Sequence, residues 1–146
     1  VETGATVDLT VVGAYIYAAH PDTHLLVISY TFDQGATMKR WHVWLGEPMP
    51  KDLDDALNDP DCLFEGWNAN FERLICKHVL KREIPIRRFR CTMARARAMA
   101  LPGSLDLCGR ALAVPIQKQN SDIMMKWCKP LPDGSWADDD VEYEKL

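Results

Sequence analysis

The 146-residue chain contains no apolar run approaching the roughly 20 residues that a membrane helix needs, so a membrane-spanning protein is not expected. It has no secretory signal pattern, and because it begins with Val1 rather than Met it reads as a fragment or processed product of a longer polypeptide. Its five cysteines are odd in number and include no Cys-x-x-Cys pair. That argues against a disulfide frame and for the reduced thiols of an intracellular, cytoplasmic protein. A basic excess is also missing: the net charge of −4 excludes a protein that coats nucleic acid through overall charge, although a local basic face stays open. Zinc-like spacing is absent too. Cys76 and His78 are two apart on a predicted helix and face different ways, and Pro21 breaks any helical pairing of His20 with His24.

What the chain does have is enough apolar content, 47%, for one core. Residues Leu25 to Phe32 and Met38 to Leu45 are rich in β-formers and flank the turn chemistry of Asp33-Gln34-Gly35, which predicts an antiparallel hairpin. Lys51 to Leu57 reads as a short helix stopped by Asn58-Asp59-Pro60, and Cys62-Leu63-Phe64 as a short buried strand. In the next helix Phe71, Leu74, Ile75, Val79 and Leu80 recur at helical spacing, with Asn68 or Asn70 able to cap it. Thr92 and Ser104 are expected to cap helices over Met93 to Leu101 and Leu105 to Leu112. The order strand, hairpin, helix, strand, helix predicts an α/β fold of the RNase H-like kind, a mixed sheet of three antiparallel strands joined to parallel ones and flanked by helices. Residues 1–130 then form one domain, and the acidic, Gly- and Ser-containing text of 131–146 reads as a linker.

The stretch Trp67-Asn68-Ala69-Asn70-Phe71-Glu72-Arg73 resembles the second motif of the DEDD 3′→5′ exonucleases, in the version carried by phage-type family A DNA polymerases. Asp8 to Pro21, which includes Val12-Gly13-Ala14-Tyr15-Ile16-Tyr17-Ala18 and His20-Pro21, is similar to the segment following that family's first motif. Arg90-Cys91-Thr92-Met93-Ala94, Leu101-Pro102-Gly103-Ser104-Leu105, Gln117-Lys118 and Cys128-Lys129-Pro130 also resemble it, so that the likeness runs from Glu2 to about Pro130.

The resemblance implies a proofreading exonuclease domain, with a polymerase domain linked on its C-terminal side. The substrate would be the 3′ end of single-stranded DNA. Displacement at that phosphodiester builds negative charge on the attacking and leaving oxygens, which two divalent cations about 4 Å apart stabilise. Mg²⁺ and Mn²⁺ are hard ions that take carboxylate oxygens. The resemblance makes Glu2 and Glu72 two of the four metal-binding acids. Glu72 stands where the family usually has Asp, one methylene shorter. The other two acids would fall just before Val1 and beyond Leu146, with Glu142 to Leu146 opening the third motif's helix, and the fragment as it stands is expected to be inactive.

Around those acids, Thr3 follows Glu2 in the first motif and joins the substrate-facing set. Asn68 serves either as a cap or as a contact to the terminal sugar, Trp67 lines the pocket, and Phe71 belongs either to its helix's apolar stripe or to base stacking. Lys81, Arg82, Arg87, Arg88, Arg90, Arg95 and Arg97 are seven of the 17 basic residues, and they read either as a solvated face or as phosphate contacts. The alternative function is an exonuclease fold without catalysis, binding single strands or serving as a scaffold.

Overall fold

A computed structural model describes residues 1–115 and 122–137, the side chains of 122 and 123 excepted. The Gln117-Lys118 pair and Glu142 to Leu146, with Tyr143, lie outside the described residues. The fold is α/β and divides into two compact units, residues 1–58 with 122–137 and residues 59–115.

The first unit is built on a three-stranded antiparallel sheet in the order β1 (Glu2–Gly4), β2 (His24–Tyr30), β3 (Lys39–His42). The expected hairpin is present, with Ile28 opposite Trp41 and Tyr30 opposite Lys39. Both strands are shorter than their β-former content suggests. Strand β3 stops at His42 because the next two amides, Val43 and Trp44, both donate to the Leu26 carbonyl, while Glu47 accepts the His42 amide at 2.9 Å. Leu26 is also the extra residue of a bulge, since Glu2 faces Val27 whereas Thr3 faces Leu25. Leu25 through Ile28 are all buried, so this central strand reads as a continuous apolar run. Leu26 packs with Trp127 of α6 (Asp122–Cys128) and with Ala137. The first part of the expected linker, 131–137, therefore contributes to the core.

Helix α1 (Leu9–Ala19) is not evident from periodicity. Asp8 starts it by accepting from the Thr10 amide at 2.8 Å. Gly13 then interrupts it with φ of 76°, a left-handed conformation that glycine adopts without strain. Tyr17 and Ala18 are buried, whereas Val11 on the same helix is 81% exposed. Helix α2 (Lys51–Asn58) lies where the sequence places it and buries Leu53, Ala56 and Leu57.

In the second unit β4 (Phe64–Gly66) and β5 (Phe89–Cys91) form a two-stranded parallel sheet joined through α3 (Ala69–His78), the crossover that parallel pairing requires. The ladders among the described residues are thus two separate sheets, where one mixed sheet was expected. Strand β4 lies two residues beyond Cys62-Leu63-Phe64 because its register is set by pairing Phe64 with Phe89, whose rings are 5.4 Å apart. Beneath Phe64 sits Arg88, 5% exposed, its guanidinium 5.0 Å from the ring centroid and its Nε donating to the Cys62 carbonyl at 2.9 Å. One of the seven basic residues is therefore internal. Helix α4 (Thr92–Ala98) has Cys91 at its cap position, and α5 (Leu105–Ala111) is capped by Ser104 as expected.

Candidate functional site

The junction between β4 and α3 gathers four of the expected site residues. Strands β4 and β5 end side by side at Gly66 and Cys91, and each runs almost directly into a helix. The carboxyl ends of parallel strands are where α/β proteins place their sites. Thr92 is not the cap of α4: its hydroxyl donates to the Gly66 carbonyl at 2.9 Å and ties the two strand ends together. Glu72 lies in the first turn of α3, and its side chain folds back over Gly66. A Cβ on Gly66 would lie 3.6 Å from the Glu72 carboxyl carbon and 3.7 Å from Oε1. The absent side chain at Gly66 is thus what the carboxylate rests against.

Trp67 is half-buried and braces the junction. Its indole N–H donates to the Gly103 carbonyl at 3.2 Å, and its own carbonyl accepts the Met93 amide at 3.0 Å. Asn68 occupies the cap position of α3, but its side chain makes no capping hydrogen bond and is exposed. The position was legible and the bond was not. Phe71 is half-buried, and its amide donates to the Asn68 carbonyl at 2.7 Å. Cys76, one turn after Glu72, has its thiol pushed up to about 11, first by burial and then by the Glu72 carboxylate.

Glu2 and Thr3 belong to the first unit. Thr3 is 5% exposed, and its hydroxyl lies 3.1 Å from that of Tyr17, which also donates to the Thr3 carbonyl at 3.4 Å. Burial raises the Tyr17 phenol above its ordinary range, opposed by the Thr3 hydrogen bond. The Cys128 thiol is pushed up to about 11, chiefly by burial and next by the Glu2 carboxylate. A negative charge beside a half-buried thiol favours its protonated form, so neither Cys76 nor Cys128 is poised as a thiolate. Sequence reasoning missed Tyr17, Cys128 and Thr92. A Tyr inside an apolar helix and a Thr after a strand are common, and only pairing reveals them.

The carboxylates of Glu2 and Glu72 suit a hard divalent cation by donor chemistry. Among the described residues, however, no group of three or more His, Cys, Asp or Glu side chains could hold a metal ion. The basic cluster is also largely engaged: Arg95 pairs with Glu65 at 2.9 Å, Arg90 donates to the Arg87 carbonyl at 2.7 Å, and the Arg97 guanidinium lies over Gly103.

The structure thus defines an α/β protein with a glutamate on a sheet strand of one unit and a second at a strand-to-helix junction of the other. The chain is 34% identical over 122 residues, 83% of its length, to the DNA polymerase of Bacillus phage SP02, and spans 18% of that relative. It is therefore related to a region of a phage DNA polymerase. No family model matches the chain. No solved structure matches it either. Among the described residues no helix is long and apolar enough to cross a membrane.

Proposed function

We propose that this chain is the 3′→5′ exonuclease portion of a DNA polymerase, acting on the 3′ end of single-stranded DNA, with Glu2 and Glu72 among its acids. The observation that carries this reading is the carboxylate of Glu72 lying over Gly66 at the carboxyl end of a parallel strand, inside the stretch that resembles the second exonuclease motif. Relatedness to a phage polymerase, of which these residues are a minor part, supports the same assignment. In this reading Mg²⁺ or Mn²⁺ is required, and the carboxylates that complete its coordination lie beyond the described residues. Exposed Asn68 is the side chain best placed to meet the terminal nucleotide. Trp67, whose indole N–H is already engaged, positions the loop between β4 and α3.

The test is release of 3′-terminal nucleotides from end-labelled single strands by the parent polypeptide, with and without divalent cation. Glu72→Gln is isosteric, and it should lower the rate at least a hundredfold while leaving the thermal midpoint in place. A Glu72→Gln protein that degrades DNA at the parental rate removes Glu72 from the site. Single-strand binding by the parent with no cleavage in either cation would establish the non-catalytic alternative.

A further inference from the structure

Strand β1 is only three residues long, and at Glu2 and Thr3 its pairing with β2 is bulged, so the sheet alone fixes the direction of the Glu2 side chain poorly. What fixes Thr3 is a side chain from α1. Tyr17 is 5% exposed, and its hydroxyl meets both polar groups of Thr3, the hydroxyl at 3.1 Å and the carbonyl at 3.4 Å. Tyr17 is itself held by its carbonyl, which accepts from the buried Thr23 hydroxyl at 2.6 Å. Directly after β1 the Ala5 amide donates to the Cys128 carbonyl at 3.2 Å.

We propose that Tyr17 is a positioning residue for Glu2: its buried hydroxyl clamps Thr3 at the strand bulge and thereby sets where the neighbouring carboxylate points. Glu2's role in DNA hydrolysis rests on the reading proposed above, whereas the clamp rests on geometry alone. The engaged Thr3 hydroxyl then serves the clamp instead of the substrate.

The two claims separate experimentally. In the 146-residue chain, the side-chain χ1 rotamer populations of Glu2 are read from NMR scalar couplings in wild type, Tyr17→Phe, Thr3→Val and Thr3→Ser. Tyr17→Phe and Thr3→Val should each change the ratio of Glu2 χ1 rotamers by at least about twofold, and Thr3→Ser should keep the wild-type ratio. In the parent polypeptide, Tyr17→Phe should lower the exonuclease kcat about three- to tenfold with little change in KM, and should have no further effect in a Glu2→Gln background. Tyr17→Phe and Thr3→Val chains that both keep the wild-type Glu2 rotamer ratio overturn the clamp. If Tyr17→Phe does not fold, Thr3→Val against Thr3→Ser decides it alone. A Glu2 rotamer ratio that changes in the 146-residue chain, together with a parent polypeptide that lacks exonuclease activity, upholds the clamp and discards the catalytic reading.

Discussion

Replacing Arg88 with Met tests whether the basic cluster is a DNA-binding face or part of the core. Arg88 is 5% exposed; its guanidinium donates from Nε to the Cys62 carbonyl at 2.9 Å and lies 5.0 Å from the centre of the Phe64 ring. A hydrogen bond from a charged donor contributes about 1.5–3 kcal/mol and a partly desolvated cation–π contact about 0.5–2 kcal/mol. Methionine keeps most of the apolar stem and removes the cost of burying a charge, which offsets roughly 1–2 kcal/mol of the loss. The net expectation is a destabilisation of about 2 kcal/mol, or a thermal midpoint lower by roughly 4–8 °C for a chain of this size. Urea unfolding with an unchanged slope would measure it directly. Affinity for single-stranded DNA and its salt dependence should be unaffected. A variant within about 0.5 kcal/mol of wild type whose DNA affinity loses one phosphate's worth of salt slope would refute the internal role of Arg88.

Other perturbations follow from single contacts. A Cβ at Gly4 would come within 2.6 Å of His24 Nε2 and 3.0 Å of Trp136, so Gly4→Ala should cost about 1–3 kcal/mol by overpacking and alter tryptophan fluorescence. The Asp8 carboxyl is held well below the usual range by Lys129, whose ammonium is 2.7 Å away, and by Thr10. Because its folded pKa is depressed, its contribution is full above about pH 4 and is lost as pH falls; Asp8→Asn should unfold more easily at neutral pH and converge with wild type in acid, as circular dichroism would show. The Tyr30 phenol, pushed up to about 12 by burial and by its 2.9 Å hydrogen bond to Asp52, contributes below about pH 10 and loses its effect as pH rises through 12. Asp52→Ala should therefore bring its ultraviolet titration back toward pH 10.

How much of this was legible in the sequence depended on whether the cause was local. Helix α3 and its first-turn Glu72 follow from apolar spacing, and Ser104 caps α5 because the residues it serves are its own neighbours. The hairpin of β2 and β3 follows from β-formers around a turn, but its true end at His42 is dictated by Leu26 and Glu47. Asn68 has the chemistry of a cap and the position of one, yet its side chain makes no such bond, and Thr92 spends its hydroxyl on Gly66. Arg88 reads as surface in any composition count because only the fold puts Phe64 and the Cys62 carbonyl beside it. Helix α1 was hidden by Gly13 and by apolar residues distributed around its axis, from exposed Val11 to buried Tyr17.

Strand β1 leaves the ribosome ahead of every other described element, yet the helix whose Cys128 carbonyl receives the Ala5 amide, and the Lys129 that pairs with Asp8, come more than a hundred residues later. The second unit, continuous in the chain, has all its own partners before that. Synthesis at about 5–20 residues per second leaves roughly one to three seconds between residue 115 and Cys128 in which the later-numbered unit is able to fold while the earlier one waits for its closing helix. Among the described elements, the strand that carries Glu2 is thus translated ahead of the others and secured late.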